Sequence, residues 1–166
     1  PSQAVLKAAV EAAHTLIWAE FLIGRKDWVF DPSFANIKDF PDHVRLYCEP
    51  QMQAELDFML AAPQTKWISE LPDRSTGSVK GDLKVALDAL ERKGLEGIAV
   101  DLTSDEVADL GLSIIKVMVP EAVSVQGDHS LRFLGGQRLY ETPVRLGQRE
   151  TPCSEANLNP TPHPFP

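Results

Sequence analysis

Four side chains near the start of the chain, Lys7, Glu11, His14 and Trp18, have types and a spacing that could do chemistry. In a helix, which turns about 100° per residue, they fall within roughly 60° of one another. An ionised carboxylate among apolar neighbours needs a cation or a metal. Glu11 could therefore pair with Lys7, one turn earlier, or help to bind Mg²⁺ or phosphate. His14 could act as a general base, a ligand or a hydrogen-bonded core imidazole.

Two further groups suit polar or anionic ligands. Asp101 ends a predicted strand, where α/β sheets often place functional groups, although it could simply initiate the turn before Thr103. The run Gly135-Gly136-Gln137-Arg138 combines a flexible backbone with a guanidinium that could bind phosphate or carboxylate. The sequence contains no P-loop, GxGxxG, GxSxG or HExxH motif, so the usual nucleotide and hydrolase signatures are absent.

Composition narrows the class of protein. A chain of 166 residues with 43% hydrophobic content suits one globular domain or part of one. A net charge of -8 argues against nucleic acid or an anionic membrane as the main partner, and the longest apolar run is too short for a membrane span. Cys48 and Cys153 form no zinc or disulfide pattern, which favours a reduced, cytoplasmic setting. Because the chain begins at Pro1, we expect a piece of a longer protein.

The hydrophobic patterns predict an α/β (α+β) fold with helices packed on a mixed or parallel sheet. The segment Ser2–Ile23 is apolar nearly all round, so we expect a buried helix that ends at Gly24. Further helices are predicted over Asp42–Cys48, Gln51–Ala62 and Val79–Lys93. Strands are predicted over Trp67–Leu71, Ile98–Leu102, Ser113–Val119 and, at an edge, Leu139–Leu146.

The last segment, Asn159–Pro166, must be extended, because four prolines in seven residues lack amide donors and have φ fixed. Polyproline II geometry would give it a reach of roughly 20 Å. A chain end of this kind is often disordered. Here the prolines occupy every second position, which gives no PxxP spacing, and they alternate with His163 and Phe165. We therefore expect the tail to dock on its own protein.

Four stretches together carry a resemblance to a known family. They are Ala4–His14, Val100–Thr103 with Gly111–Pro120, His129–Arg138 and Leu158–Pro166. They are similar to the "rAl.Ea.Q" helix, a strand motif, the "H..R.LG..R" stretch and the "lNP.PHPFP" ending of the YcaO family. Within that family they resemble the D component of azoline-forming, streptolysin-type cyclodehydratases, which modify ribosomal peptides in bacteriocin biosynthesis.

The resemblance implies an enzyme that depends on ATP and Mg²⁺. A Cys, Ser or Thr side chain of a precursor peptide attacks the preceding amide carbonyl, ATP phosphorylates the resulting oxygen, and loss of phosphate leaves a thiazoline or oxazoline. It further implies two segments: residues 1–158 as the C-terminal part of a YcaO-like domain and residues 159–166 as a proline-rich tail. The family's Ser-x-x-x-Glu-x-x-Glu nucleotide motif does not occur in this sequence, which favours a C-terminal portion that is inactive alone.

The site residues and partners follow from the same resemblance. Glu11, His14 and Arg138 would bind the cofactor, with Glu11 at the metal, while Pro162, Pro164 and Pro166 would reach into the active centre. Without the upstream motif, we expect the tail of this piece alone to hang free. The expected partners are a precursor peptide, an E1-like C component and a flavin dehydrogenase, with a homodimer left open.

Two other functions remain as alternatives. One is a noncatalytic docking or scaffold protein for the precursor peptide or its partner. The other is backbone thioamidation, with which Gly24–Asp27 is compatible.

Overall fold

The computed structural model of the chain describes residues 1–61 and 65–165, and these residues form an α+β fold as predicted. The α-helices are α1 (Ser2–Ile23), α2 (Phe40–Leu46), α3 (Asp57–Leu60), α4 (Val79–Glu91), α5 (Asp105–Ala108) and α6 (Gln137–Arg145). The strands are β1 (Ile98–Asp101) and β2 (Ile115–Met118). Short 3₁₀-helices cover Pro50–Leu56, Ile68–Glu70 and Glu155–Asn157.

The chain divides into two compact units. The first unit comprises Pro1–Asp73, Ser124–Gly135 and Cys153–Pro166. The second unit comprises Arg74–Val123 and Gly136–Pro152. The first unit is therefore built from three separate stretches of sequence, the last of which contains the tail.

Helix α2 is the central element of the first unit. It begins after Asp39, whose side chain accepts a hydrogen bond from the amide of Asp42 at 3.1 Å, and Pro41 occupies its first turn, where a missing amide costs nothing. Its buried face contributes to the hydrophobic core. That core contains Ile37, Leu46 and Met52, with Trp28, Phe30, Phe34 and Tyr47 packed around it.

Helix α1 has the predicted bounds but not the predicted burial. It ends before Gly24 as expected, and Leu22 is its only buried residue within the described chain. Apolar side chains such as Ile17 (66% exposed) and Phe21 (71% exposed) face outward. The prediction of a buried helix was wrong because, among the described elements, α1 has its main contact with α2 alone. No helix in residues 1–61 and 65–165 has both the length and the apolarity to cross a bilayer.

The second unit contains the best-predicted elements. Helix α4 begins after Ser78, whose hydroxyl accepts from the amide of Gly81 at 3.1 Å. The chain leaves the helix through Gly94, which has a φ of +67° that favours glycine. Strands β1 and β2 follow as predicted, and where a mixed or parallel sheet was expected, these two strands pair antiparallel. The connection between them holds only the single turn α5, which is short for the crossover that parallel strands require.

Three local predictions were wrong. The predicted strand Trp67–Leu71 is a 3₁₀-helix, and the carboxylate of Glu70 accepts from the amide of Trp67 at 2.8 Å. The predicted edge strand Leu139–Leu146 is helix α6, with a 2.6 Å ion pair between Glu141 and Arg145 one turn apart. The predicted helix Gln51–Ala62 is divided between the 3₁₀-helix Pro50–Leu56 and α3, and Ala62 lies outside the described residues.

Candidate functional site: the docked tail

The proline-rich tail is docked on the first unit. The ring of Pro162 is fully buried, and its carbonyl oxygen accepts a hydrogen bond of 2.6 Å from the hydroxyl of Tyr47. Tyr47 follows the last residue of α2 directly. The prediction that the tail docks on its own protein is confirmed, and the expectation that it hangs free in this chain was wrong.

Two stacked histidines join the tail to the loop that precedes Asp128. The rings of His43 and His163 lie 3.9 Å apart at 11°. Nδ1 of the fully buried His43 lies 2.8 Å from the carbonyl oxygen of His163, and its Nε2 lies 2.9 Å from that of Gly127. Nε2 of His163 lies 2.6 Å from the carbonyl oxygen of Gln126 and therefore carries the proton. One imidazole on α2 thus contacts both the tail and the loop.

The protonation of His43 is set by opposing effects. Burial lowers the pKa of His43, and the carbonyl oxygens of His163 and Gly127 raise it by less, so the net shift is downward. A neutral imidazole donates from one nitrogen only. At neutral pH His43 therefore donates to one of its two carbonyl neighbours.

Further polar contacts hold the tail from other sides. The guanidinium of Arg132 donates to the carbonyl of Asn159 at 3.1 Å, and the hydroxyl of Thr161 donates to the carboxylate of Glu55 at 2.9 Å. The loop itself is anchored, since the amide of His129 donates to the carbonyl of Ile37 at 3.0 Å. Arg132 belongs to the predicted His129–Arg138 motif, so the first part of that motif lies against the tail.

A groove of about 280 Å³ lies between α1 and α2, next to the tail. Its lining is mostly apolar and consists of Ala12, Thr15, Leu16, Ala19, Val44, Tyr47, Cys48 and Pro164. Burial raises the pKa of the Cys48 thiol, which donates to the carbonyl of Val44 at 3.3 Å. Cys48 is therefore a protonated wall residue and not an activated nucleophile.

The predicted cofactor residues lie in both units. Glu11 and His14 are exposed on α1, in the first unit, and among the described residues Glu11 forms no ion pair with Lys7. Arg138 belongs to the second unit and lines a cavity of about 350 Å³ together with Lys93 and Arg145.

The predicted catalytic prolines are only partly described. Pro162 and Pro164 lie in the docked tail, one buried and the other in the wall of the groove. Pro166 lies outside the described residues. Those residues contain no cluster of three or more His, Cys, Asp or Glu side chains that could hold a metal ion.

Comparison with known proteins decides the family. Residues 1–123 match the model of a family described as YcaO cyclodehydratase, ATP- and Mg²⁺-binding. The chain belongs to the YcaO family. A search of curated protein sequences found no match.

Two solved heterocyclase structures are similar to this YcaO chain. A heterocyclase in complex with substrate and cofactor is 34% identical, with a TM-score of 0.51, over 63% of this chain and 13% of its own. The heterocyclase TruD is 33% identical, with a TM-score of 0.47, over 74% of this chain and 19% of its own. The YcaO chain therefore spans only a small part of either relative.

The strand-end carboxylate Asp101 of the YcaO chain has a structural partner. Its side chain accepts from the amide of Thr103 at 2.9 Å, and hydrogen bonds from Thr103 lower the pKa of Asp101. The hydroxyl of Thr103 in turn accepts from the amide of Ile114 at 2.9 Å. Asp101 could be a functional group at a strand end or the residue that initiates the turn before Thr103, and these contacts favour its role in the turn.

Sequence analysis missed the two residues that hold the tail of the YcaO chain. His43 and Tyr47 are polar aromatic residues four positions apart in a predicted helix, so a shared face was the available signal. Their partners lie 120 and 115 residues further along the chain. No local pattern connects residues at that separation.

Proposed function

We propose that this chain is part of an ATP-dependent cyclodehydratase that converts Cys, Ser or Thr of a ribosomal precursor peptide to thiazoline or oxazoline. The docked tail is the observation that carries the proposal, because a buried Pro162 and an anchored His163 give the family-like ending a fixed place beside a groove. Membership of the YcaO family and the similarity to heterocyclases support the same class of reaction.

The residues proposed to bind Mg²⁺ and ATP have suitable chemistry. Glu11 offers an exposed carboxylate with no ion pair to Lys7 among the described residues, and Mg²⁺ is commonly held by one or two carboxylates plus phosphates and water. His14 follows Glu11 by three residues, which is almost one turn of the same helix. Arg138 and Lys93 offer cations to phosphate oxygens in the second unit. Bound ATP supplies the phosphoryl group that converts a poor oxygen leaving group into phosphate.

The tail of the chain is proposed to shape the reaction site. Residues 159–166 form the segment that reaches the site, and residues 1–158 form the supporting domain. Because the prolines are already restricted, ordering this segment costs little conformational entropy. Pro164 lies in the groove wall, where it would limit how a peptide can approach. The proposed partners are the precursor peptide, an E1-like C component and a flavin dehydrogenase, which form one modification pathway.

The role of the tail is tested by its removal. We expect deletion of Pro162–Pro166 from the full-length protein to abolish heterocycle formation, because the groove loses Pro164 from its wall and the carbonyl of Gln126 loses its partner His163. Mass spectrometry of the precursor peptide measures one lost water per heterocycle. Binding of the precursor peptide to the deleted protein is the control for folding. Unchanged heterocycle yield would show that the tail has no catalytic role.

The role of Glu11 is tested by substitution. We expect Glu11→Ala to raise the KM for ATP by about tenfold or more, equal to ~1.4 kcal/mol of lost binding. Glu20→Ala is the matched control, since Glu20 is also an exposed carboxylate on α1. Titration calorimetry with Mg²⁺-ATP distinguishes an ATP-dependent cyclodehydratase from a noncatalytic scaffold protein. Retained peptide binding without detectable Mg²⁺-ATP binding would instead favour the scaffold function.

A further inference from the structure

We propose that His43 and Tyr47 are positioning residues that fix the path of the tail and thereby set where the segment beyond Pro162 reaches. The inference rests on the proposed function of the tail in the reaction. Neither side chain needs to touch the substrate. Their role is to act on the tail, whose Pro164 forms part of the groove wall.

Two side chains contact two consecutive carbonyl groups of the tail. His43 lies on α2 and Tyr47 follows the helix directly, four positions later, with helical backbone angles, so both project from the same face; they contact the carbonyl oxygens of His163 and Pro162 at 2.8 and 2.6 Å. Proline has no amide, so the carbonyl is the only backbone hydrogen-bonding group that Pro162 offers. A pair of contacts to adjacent carbonyls fixes the direction of the chain, and this would not follow from packing of the proline rings alone.

His43 also connects the tail with the loop that precedes Asp128. Its other ring nitrogen lies 2.9 Å from the carbonyl of Gly127, while His163 of the tail contacts the neighbouring carbonyl of Gln126 at 2.6 Å. The two stacked rings thus contact adjacent carbonyls of the same loop. Movement of the tail along α2 would break contacts to both the helix and the loop. The tail is therefore held in one register.

Burial makes these contacts difficult to replace by water. His43 and Pro162 are among the fully buried side chains of the described residues. A buried carbonyl that loses its donor keeps the cost of its desolvation. Removal of one donor is therefore expected to displace the tail and not merely to weaken one contact.

The test uses the full-length protein and four substitutions. Tyr47→Phe removes only the hydroxyl, His43→Leu removes both ring nitrogens, and His43→Gln restores a side chain that can donate a hydrogen bond. Leu46→Val is the matched control. Leu46 is a core residue of the same helix, and among the described contacts it makes no hydrogen bond to the tail. Hydrogen exchange of the peptide from Ser154 onward measures docking, and kcat and KM for the precursor peptide measure the reaction.

We expect Tyr47→Phe to lower kcat by about tenfold or more, because a small displacement of a positioned group is costly, while the KM for Mg²⁺-ATP changes by less than about twofold. Exchange in the tail should rise in parallel. His43→Leu should lower kcat as well, and His43→Gln should recover part of it. Leu46→Val should lower stability without the same fall in kcat.

Three outcomes would overturn the inference. Full kcat in both Tyr47→Phe and His43→Leu, in a protein that the Pro162–Pro166 deletion inactivates, would refute it and leave the proposed function standing. An equal fall in kcat in Leu46→Val would show a general structural effect. Full activity of the deleted protein would refute the proposed role of the tail, and the inference with it.

Discussion

The imidazole of His43 has a carbonyl oxygen near each ring nitrogen and no access to solvent. Burial lowers the pKa of His43, and the carbonyls only partly oppose that effect. When the tail is released, the ring regains water and a pKa near its usual value of about 6.5. The docked state therefore binds fewer protons than the released state. Acid should favour release.

We predict that tail docking is strongest near neutral pH and weakens as the pH falls below about 6.5, where a released His43 takes up a proton. The measurement is hydrogen exchange in the tail, corrected for the intrinsic effect of pH. His163 from the tail, His129 from the loop and Asp42 from α2 also face this ring or act on it.

His43→Gln is the control for these other groups, since any pH dependence of docking that this variant keeps comes from them and not from His43. Greater protection of the tail at low pH would contradict the prediction. It would mean that the doubly protonated ring, which can donate to both carbonyls, outweighs the cost of burying its charge.

At the scale of single elements, helices and strands were predicted correctly where they depend on residues that are close in sequence. Gly24 and Gly94 end α1 and α4, and the β-branched runs Ile98–Asp101 and Ile115–Met118 form strands, so composition and periodicity were sufficient. Helix α6 was missed because Pro143 indicated a broken strand. The structure places Pro143 inside this helix, where the hydroxyl of the preceding Thr142 donates to the carbonyl of Arg138 at 2.7 Å.

The candidate site was predictable only in part, because the tail docks on residues that are distant in sequence. The stiffness of the tail follows from its prolines, and its alternation with His163 and Phe165 correctly indicated docking. The surface that receives it comes from His43, Tyr47 and a loop whose contribution is backbone carbonyls. A carbonyl is present at every residue, so sequence cannot distinguish the ones that bind. The exposure of α1 also depends on what covers it, which periodicity does not report.

We predict that Gly94→Ala lowers the free energy of unfolding by about 1–2 kcal/mol, because its φ of +67° is unfavourable for any residue with a Cβ. Among the described residues, no neighbouring atom lies within 4 Å of the point that this Cβ would occupy, so backbone strain is the whole effect. Gly97→Ala is the matched control in the same unit, and we expect it to be neutral or slightly stabilising. Equal urea midpoints for the two variants would contradict this account.

At the scale of the whole molecule, α1 presents an apolar surface on several sides. Leu6, Leu16, Ile17 and Phe21 are all more than half exposed. Large apolar side chains exposed together on one helix are typical of surfaces that bind other protein. The net charge of -8 opposes association at low salt and does so less as salt rises.

We predict that the 166-residue chain self-associates in a concentration-dependent way, more strongly at higher salt, and that Ile17→Lys with Phe21→Lys reduces this association. Sedimentation velocity at several protein concentrations measures it. Val79→Lys is the control, because Val79 is an exposed apolar residue (88%) on α4 in the other unit. A chain that stays monomeric throughout would contradict the prediction.

The division of the first unit into three stretches has a consequence for protein synthesis. A ribosome that adds about 5–20 residues per second makes His163 several seconds after His43, with the second unit synthesised in between. During that interval the surface formed by His43 and Tyr47 has no tail to bind. A copy whose translation stops early never completes this face. We expect cellular proteases to meet such copies in a less protected form than finished ones.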